Sequence, residues 1–274
     1  MRKPWCWGAL ILGSGWAAYH WLSRRAITPR DRRYRRAGIV QTTTPTLFVP
    51  GWGGNAWTYN GMLRWFARQG YAAKVLTIRV DYHDHLHVSG QWPETAVNPT
   101  IQVLFDHNFT GDYRRQTRWL TQILRWLHRR YGVTAYNAVA HSWGGSALIH
   151  SLVRDGADPT LPRLRRAVLL GTPVDETPPN APQDPAYRRL LAVRHNLRAN
   201  AGAEIHNVYG ILTGHATDGE VPVRQVTALR AVVADSPVTY QEHPVDGIGH
   251  GRLHSAPRMW RLIARLLWTH KKDD

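Results

Sequence analysis

An α/β fold built on a mostly parallel central sheet is what this chain predicts, and three observations carry that expectation. From residue 45 onward, short apolar runs alternate with helical patterns, the rhythm of a sheet flanked by helices. One run, Tyr136-Asn137-Ala138-Val139, passes through Ala140-His141-Ser142-Trp143-Gly144-Gly145 straight into the helical stretch Ser146–His150. The loops that carry Gly51, Asp218 and His250 each follow an apolar run, on the sheet edge where open α/β folds bind ligands.

The elements follow in order. Thr46 to Val49 reads as a strand entering the glycine-rich loop Pro50-Gly51-Trp52-Gly53-Gly54-Asn55, and Gly61 to Arg68 as the first helix. Ala73 to Val80 is a strand that turns back near Asp84 as a hairpin with His87 to Ser89. Asp112 to Tyr131 is the clearest helix: Leu120, Ile123, Leu124, Leu127 and Tyr131 form one apolar stripe, and Arg114, Arg118, Arg125 and Arg129 lie off it as a solvated face. Ala167 to Leu170 is the next strand. Residues 173–200, rich at first in Pro, Asp and Asn, predict a small cap with a helix over Arg188–Leu197. Strands at Ile205–Leu212 and Val238–His243 and a helix over Pro257–His270 complete the pattern.

The Ala140–Gly145 turn has the residues of a nucleophile elbow. So sharp a turn needs small neighbours, which Ala140, Gly144 and Gly145 supply, and it presents Ser142 at its tip. A serine hydroxyl becomes a competent nucleophile when a histidine takes its proton, and that histidine needs an acid to orient it. One chain order of such triads is nucleophile, acid, base. Asp218 stands on the loop after the Ile205–Leu212 strand and His250, between two glycines, on the loop after the next. Asp175 is the competing acid; His243 and His254 are the competing bases. An acyl-transfer site also needs donors to an oxyanion. The N–H of Trp143, after the nucleophile, and that of Trp52, on the early glycine-rich loop, are the candidates. The two indoles would wall an apolar pocket. That early loop lacks the Gly-Lys-Ser/Thr ending of a phosphate-binding loop. His83, His85 and His87 would share one side of an extended strand and could hold zinc. The hairpin turn breaks that face, so no metal and no cofactor is expected.

Taken together these segments resemble the α/β-hydrolase superfamily, and more narrowly the bacterial cell-surface hydrolase family DUF915. The resemblance rests on Phe48–Gly54, Asn98-Pro99-Thr100-Ile101-Gln102-Val103-Leu104-Phe105-Asp106-His107-Asn108, Tyr136–Gly145, Thr217-Asp218-Gly219-Glu220-Val221-Pro222 and His250-Gly251-Arg252-Leu253-His254. It spans roughly residues 45–268, and the Asn98–Asn108 piece is its most specific part. It implies a serine hydrolase with Ser142, Asp218 and His250 as triad, and it supplies no substrate.

Composition sets the surroundings. With 35 Lys+Arg against 19 Asp+Glu in 274 residues, the net charge is +16, which favours anionic partners. No nucleic-acid-binding module accompanies that charge. A single cysteine, Cys6, excludes an intramolecular disulfide. Residues Trp5–Leu22 form an uncharged, mostly apolar stretch after Arg2-Lys3, with Trp5, Trp7, Tyr19 and Trp21 near its ends. Its length is at the lower limit for a membrane-spanning helix. Residues 1–23 are therefore expected to be a signal anchor, residues 24–44 an arginine-rich linker and residues 45–274 the hydrolase domain. Seven arginines between Arg24 and Arg36 would, by the positive-inside rule, keep the domain in the cytoplasm. The family resemblance implies the cell surface instead, which is the side expected here, with Arg24–Arg36 against anionic headgroups or wall polymer. The expected activity is that of a membrane-anchored serine esterase or lipase-like enzyme. The alternative is an envelope protein that binds anionic polymer or lipid through its basic surface, with hydrolysis incidental or absent.

Overall fold

The structure, a computed structural model, describes residue 18, residues 21–28 and residues 35–269. The expected anchor lies mostly outside these residues. Among the described residues no helix is long and apolar enough to cross a membrane.

Eight strands form one sheet: β1 (Thr46–Val49), β2 (Ala73–Val80), β3 (Leu86–Gly90), β4 (Pro99–Phe105), β5 (Ala135–His141), β6 (Arg163–Leu170), β7 (Glu204–Ile211) and β8 (Thr239–Asp246). Their order is β3-β2-β4-β1-β5-β6-β7-β8, and every pairing except the β2–β3 hairpin is parallel. The C-terminal ends of the seven parallel strands therefore meet at one sheet edge, which gathers residues distant in sequence.

The helices are α1 (Ala56–Arg68), α2 (Arg114–Tyr131), α3 (Trp143–Asp155), α4 (Pro185–Val193), α5 (Val223–Thr227), α6 (Leu229–Val233), α7 (Arg252–Ser255) and α8 (Pro257–Trp268). Period-two alternation in the buried strands feeds two cores. Leu47, Ala138 and Leu169 point to the face covered by Leu120, Ile123 and Leu127 of α2 and Leu148 and Leu152 of α3. Phe48, Val139 and Val168 point to the other face, covered by Met62, Leu63 and Phe66 of α1 and Met259, Ile263 and Leu267 of α8.

Several boundaries differ from expectation, each for a local reason. Helix α1 starts five residues earlier than Gly61, because Asn55 caps it: its side chain accepts from the backbone of Trp57, and the Thr58 hydroxyl accepts from the Asn55 N–H. Tyr131, at the end of α2, is exposed and packs beside Trp92 and Trp126 rather than joining the buried stripe. The cap helix begins at Pro185, whose N-cap Asp184 accepts from Ala186, and ends in a 3₁₀ turn over Arg194–Asn200. Tyr187, Leu190 and Leu197 sink it into the α2/α3 core, so it is part of the domain wall. The hairpin turns at Asp84 in the left-handed region (φ 65°). Asp81 binds His87 at 2.7 Å, and no group of three or more metal-ligating side chains exists among the described residues.

Candidate active site

The elbow lies where β5 meets α3. Ser142 has φ 52° and ψ −131°, a conformation rarely adopted by residues other than glycine. Two contacts hold it there. Its N–H donates to the Leu170 carbonyl at 2.9 Å, and its own carbonyl accepts from Gly145 at 2.8 Å. Gly51 lets the early loop lie against this elbow: a Cβ there would fall 2.8 Å from both the Ser142 Cβ and the His141 carbonyl oxygen.

The candidate base and its candidate acid are paired. His250 Nδ1 donates to Asp218 Oδ2 at 2.7 Å, both side chains almost fully buried, and the His250 N–H also donates to the Asp218 carbonyl at 2.9 Å. The second carboxylate oxygen of Asp218 accepts from the backbone of Val221 at 2.8 Å and of Glu220 at 3.1 Å. Hydrogen-bonded on both oxygens and buried, Asp218 can fix one imidazole tautomer and leave Nε2 to exchange protons. Glu220 Oε2 lies 3.9 Å from that Nε2, with its side chain largely in solvent.

His141, next to Ser142, joins the elbow to His250. His141 donates through Nε2 to the His250 carbonyl at 3.2 Å, and the two rings pack with centroids 4.5 Å apart. Burial, reinforced by His254 and His250, lowers the pKa of His141 well below the ordinary histidine range, so it is a neutral prop. Gly171 makes the same point from the other side. A Cβ there would lie 2.8 Å from Asp218 Oδ2 and 2.9 Å from His250 Nδ1, one residue beyond the carbonyl that holds Ser142. Ser142, Asp218 and His250 therefore lie on one sheet edge, linked through His141, Leu170 and Gly171. The Ser142 hydroxyl makes no hydrogen bond among the described residues, a looseness common in such sites without substrate.

The competing residues have other partners, although the His254 ring packs against that of His141 at 4.7 Å. Asp175 accepts from Thr177 in its own loop. His243 packs with His206 near the start of β7. His254 is tied through Nδ1 to the Thr58 carbonyl at 2.9 Å, and burial lowers its pKa to about 4.

Of the two expected oxyanion donors, Trp143 is the first residue of α3, where an N–H has no acceptor within its own helix. In the early loop the Gly53 N–H donates to Asn108 and that of Gly54 to Gly51, while the Trp52 N–H is uncommitted among the described residues. The indoles, expected to wall one pocket together, are engaged separately. Trp52 donates to the Thr110 carbonyl and packs edge-on against Phe109. Trp143 donates to Glu176 Oε1 at 2.9 Å and meets Tyr113 edge-on. Burial raises the pKa of Glu176, an acid against the Trp143 indole that no motif had pointed to.

Three amides of the Asn98–Asn108 piece tie distant parts of the chain together. The buried Asn98 spans the carbonyls of Val40 and Tyr71 and the N–H of Thr42. Gln102 links the Ala56 carbonyl and Asn60 of α1 to Lys74 of β2. Asn108 donates to the carbonyls of both Gly51 and Gly54 at 2.7 Å and accepts from Gln116 at 2.5 Å, holding the early loop in shape. Their spacing alone could not reveal this, because the partners are backbone groups far away in the chain.

Comparisons with known proteins agree with this architecture. The product of the lin2722 gene of Listeria innocua superposes with a TM-score of 0.75 at 24% identity, over 85% of this chain and 97% of that one. A protein of Lactobacillus plantarum WCFS1, described as a proposed cell surface hydrolase, gives a TM-score of 0.68 at 20% identity, over 82% and 89%. At such identities the likeness speaks for the fold alone. A comparison with functionally curated proteins gives no match. The model of a family described as alpha/beta hydrolase of unknown function (DUF915) matches residues 35–270. With most of its length inside that match and the fold to go with it, this chain belongs to the DUF915 family of α/β hydrolases.

Proposed function

We propose that the protein is a serine hydrolase that cleaves carboxylic esters through an acyl-enzyme on Ser142. The observation that carries this reading is the buried Asp218–His250 pair set beside an elbow that holds Ser142 at positive φ. Ser142 Oγ attacks the ester carbonyl as His250 Nε2 takes its proton. The imidazolium is stabilised by Asp218, and the oxyanion by the N–H groups of Trp52 and Trp143. Collapse of the tetrahedral intermediate breaks the bond to the alkoxy oxygen, which takes the proton from His250 and leaves as the alcohol. Water then gives its proton to His250 and attacks the acyl carbon. Collapse releases the carboxylic acid and returns a proton to Ser142. The test is turnover of soluble p-nitrophenyl esters and their matched anilides by the wild-type chain and His250→Gln. Ester turnover that drops by about 10³-fold or more in the variant supports the reading. Equal turnover by both proteins overturns it, and faster anilide cleavage would assign an amidase.

The proposal includes an N-terminal signal anchor in residues 1–23 with the domain on the cell-surface side. The apolar stretch Trp5–Leu22 and the description of the Lactobacillus protein support it. Resistance to alkaline extraction, together with loss of the domain when intact cells are treated with protease, is the expected result.

A further inference from the structure

Six of the eight large apolar side chains exposed among the described residues are Trp21, Leu22, Trp52, Trp57, Tyr82 and Phe109. Isolated exposed aromatics are ordinary, but contiguous ones mark an interaction surface. Four of these six gather at one edge. Tyr82 follows β2, Phe109 follows β4, and Trp52 and Trp57 follow β1, so topology brings all four to the edge that carries Ser142. Trp52 and Phe109 are in ring contact at 5.1 Å, and one cavity of about 250 Å³ is lined by Ser23, Arg24, Gly53, Asn55, Tyr82 and Phe109 together. The remaining two, Val88 and Tyr131, are at the β3 hairpin and the far end of α2.

The segment expected to be a linker starts at this edge, at Arg24, and runs beside α1 to the start of β2, where Ile27 meets Lys74. Arg24 pairs with the buried Asp106 at 2.9 Å, and Asp106 also pairs with Arg79. The Arg25 carbonyl accepts from Asn60 at 2.9 Å, the Ile27 N–H donates to Asn60, and the Ile27 carbonyl accepts from Lys74. Arg25 lies over the Trp21 ring at 3.5 Å. Ser23 and Arg24 thus share a cavity with Gly53 and Asn55 of the early loop, and the guanidinium groups of Arg24 and Arg25 lie over the rings of Tyr82 and Trp21. Tryptophan, tyrosine and leucine interleaved with arginine is the composition that settles at a bilayer interface, the rings at headgroup level and the cations on anionic phosphates.

We propose that this aromatic edge rests on the surface of an anionic bilayer and that the ester cleaved at Ser142 is a membrane lipid taken from that leaflet. The substrate half rests on the serine-hydrolase reading above; the surface half stands on the geometry of the rim. An active-site mouth pressed to the headgroups meets lipid esters without their having to cross water, whereas a mouth facing away would favour soluble ones.

The experiment uses the full chain in the Cys6→Ser background, bound to vesicles of phosphatidylglycerol and phosphatidylcholine. An environment-sensitive fluorophore is placed at Trp57→Cys, at Phe109→Cys, or at Asp235→Cys on the remote α6–β8 turn, and nitroxides on the lipid chains serve as quenchers. Quenching at 57 and 109 several-fold stronger than at 235 is expected. Equal quenching at all three positions overturns the proposal. In parallel, Trp21→Gln/Trp57→Gln should lower hydrolysis of vesicle-borne lipid ester at least tenfold and leave turnover of a soluble short-chain ester within twofold. No change with either substrate, or a parallel fall with both, refutes the substrate half. A wild-type chain inactive on the soluble ester fails the hydrolase reading and the substrate half with it, while the quenching still decides the surface.

Discussion

Replacing Asn108 by alanine should damage the protein twice, and both sizes can be worked from its contacts. Its side chain donates to the carbonyls of Gly51 and Gly54 and accepts from Gln116, whose other amide atom, Oε1, is already buried without a partner. The Gly51 carbonyl would keep the bond from the Gly54 N–H, so its loss is small. The Gln116 amide N–H would be orphaned in a fully buried place, at a cost of about 1–3 kcal/mol. The half-buried Gly54 carbonyl and the small cavity bring the expected loss to about 2–4 kcal/mol. Because Asn108 shapes the loop that carries the Trp52 N–H, the second effect falls on kcat rather than KM. It should exceed tenfold, below the roughly 10²–10³ of deleting an oxyanion donor outright. Asn108→Asp keeps the acceptor for Gln116 but sets a carboxylate oxygen against two carbonyl oxygens, so it should be no better than alanine. Urea unfolding followed by tryptophan fluorescence measures the first effect, and ester kinetics the second. A loss under about 1 kcal/mol with unchanged kcat would refute the assignment of Asn108 as the bolt of that loop.

Other perturbations have equally definite outcomes. Ser142→Gly should abolish hydrolysis yet raise stability by roughly 1 kcal/mol in chemical unfolding, since it relieves the positive-φ strain and gives part of the gain back as unfolded-chain entropy; a destabilised variant would argue against strain at the elbow. A methyl group at Gly144 would lie 2.5 Å from the Pro50 carbonyl oxygen and 2.8 Å from that of Val49, so Gly144→Ala should fail to yield soluble protein or unfold several kcal/mol earlier. His150 and His254 are each held by burial at a pKa of about 4 against an ordinary 6.5. A buried neutral histidine favours folding above the unfolded-state pKa, and that contribution is lost as pH falls from 6.5 towards 4, because only the unfolded chain takes up the proton. The loss is up to about 3 kcal/mol for each by pH 4, readable as a falling Tm that flattens in His254→Gln. Trp143→Phe removes the donor to Glu176 and should raise the pKa of that acid further, visible in its carboxyl titration by NMR; an unchanged titration would place Glu176 outside that contact.

The elements legible in the sequence were those in which one signal dominates. Ala73–Val80 matches the observed strand in full, and α2 was readable because its apolar residues recur every three or four positions through Leu127. The start of α1 was missed because its cap, Asn55, lies in a glycine-rich loop that draws attention to backbone freedom. Residues 173–200 read as a small cap, yet Tyr187 and Leu190 are spaced to bury in the main core, a choice that only the neighbouring helices reveal. For the site, chain order and strand-end placement singled out Asp218 and His250, and the structure adds their 2.7 Å hydrogen bond. The supports were invisible. His141, Asn108 and Glu176 act on His250, Gly51 and Trp143, each 33 or more residues away in the chain, and no local pattern encodes those partners.

The most direct test of the central claim is covalent. Full-length protein treated with a fluorophosphonate probe and digested for mass spectrometry should carry the phosphonyl adduct on the peptide containing Ser142, with labelling lost in His250→Gln and slowed in Asp218→Asn. An adduct on another serine, or none on a well-folded chain, would contradict the account.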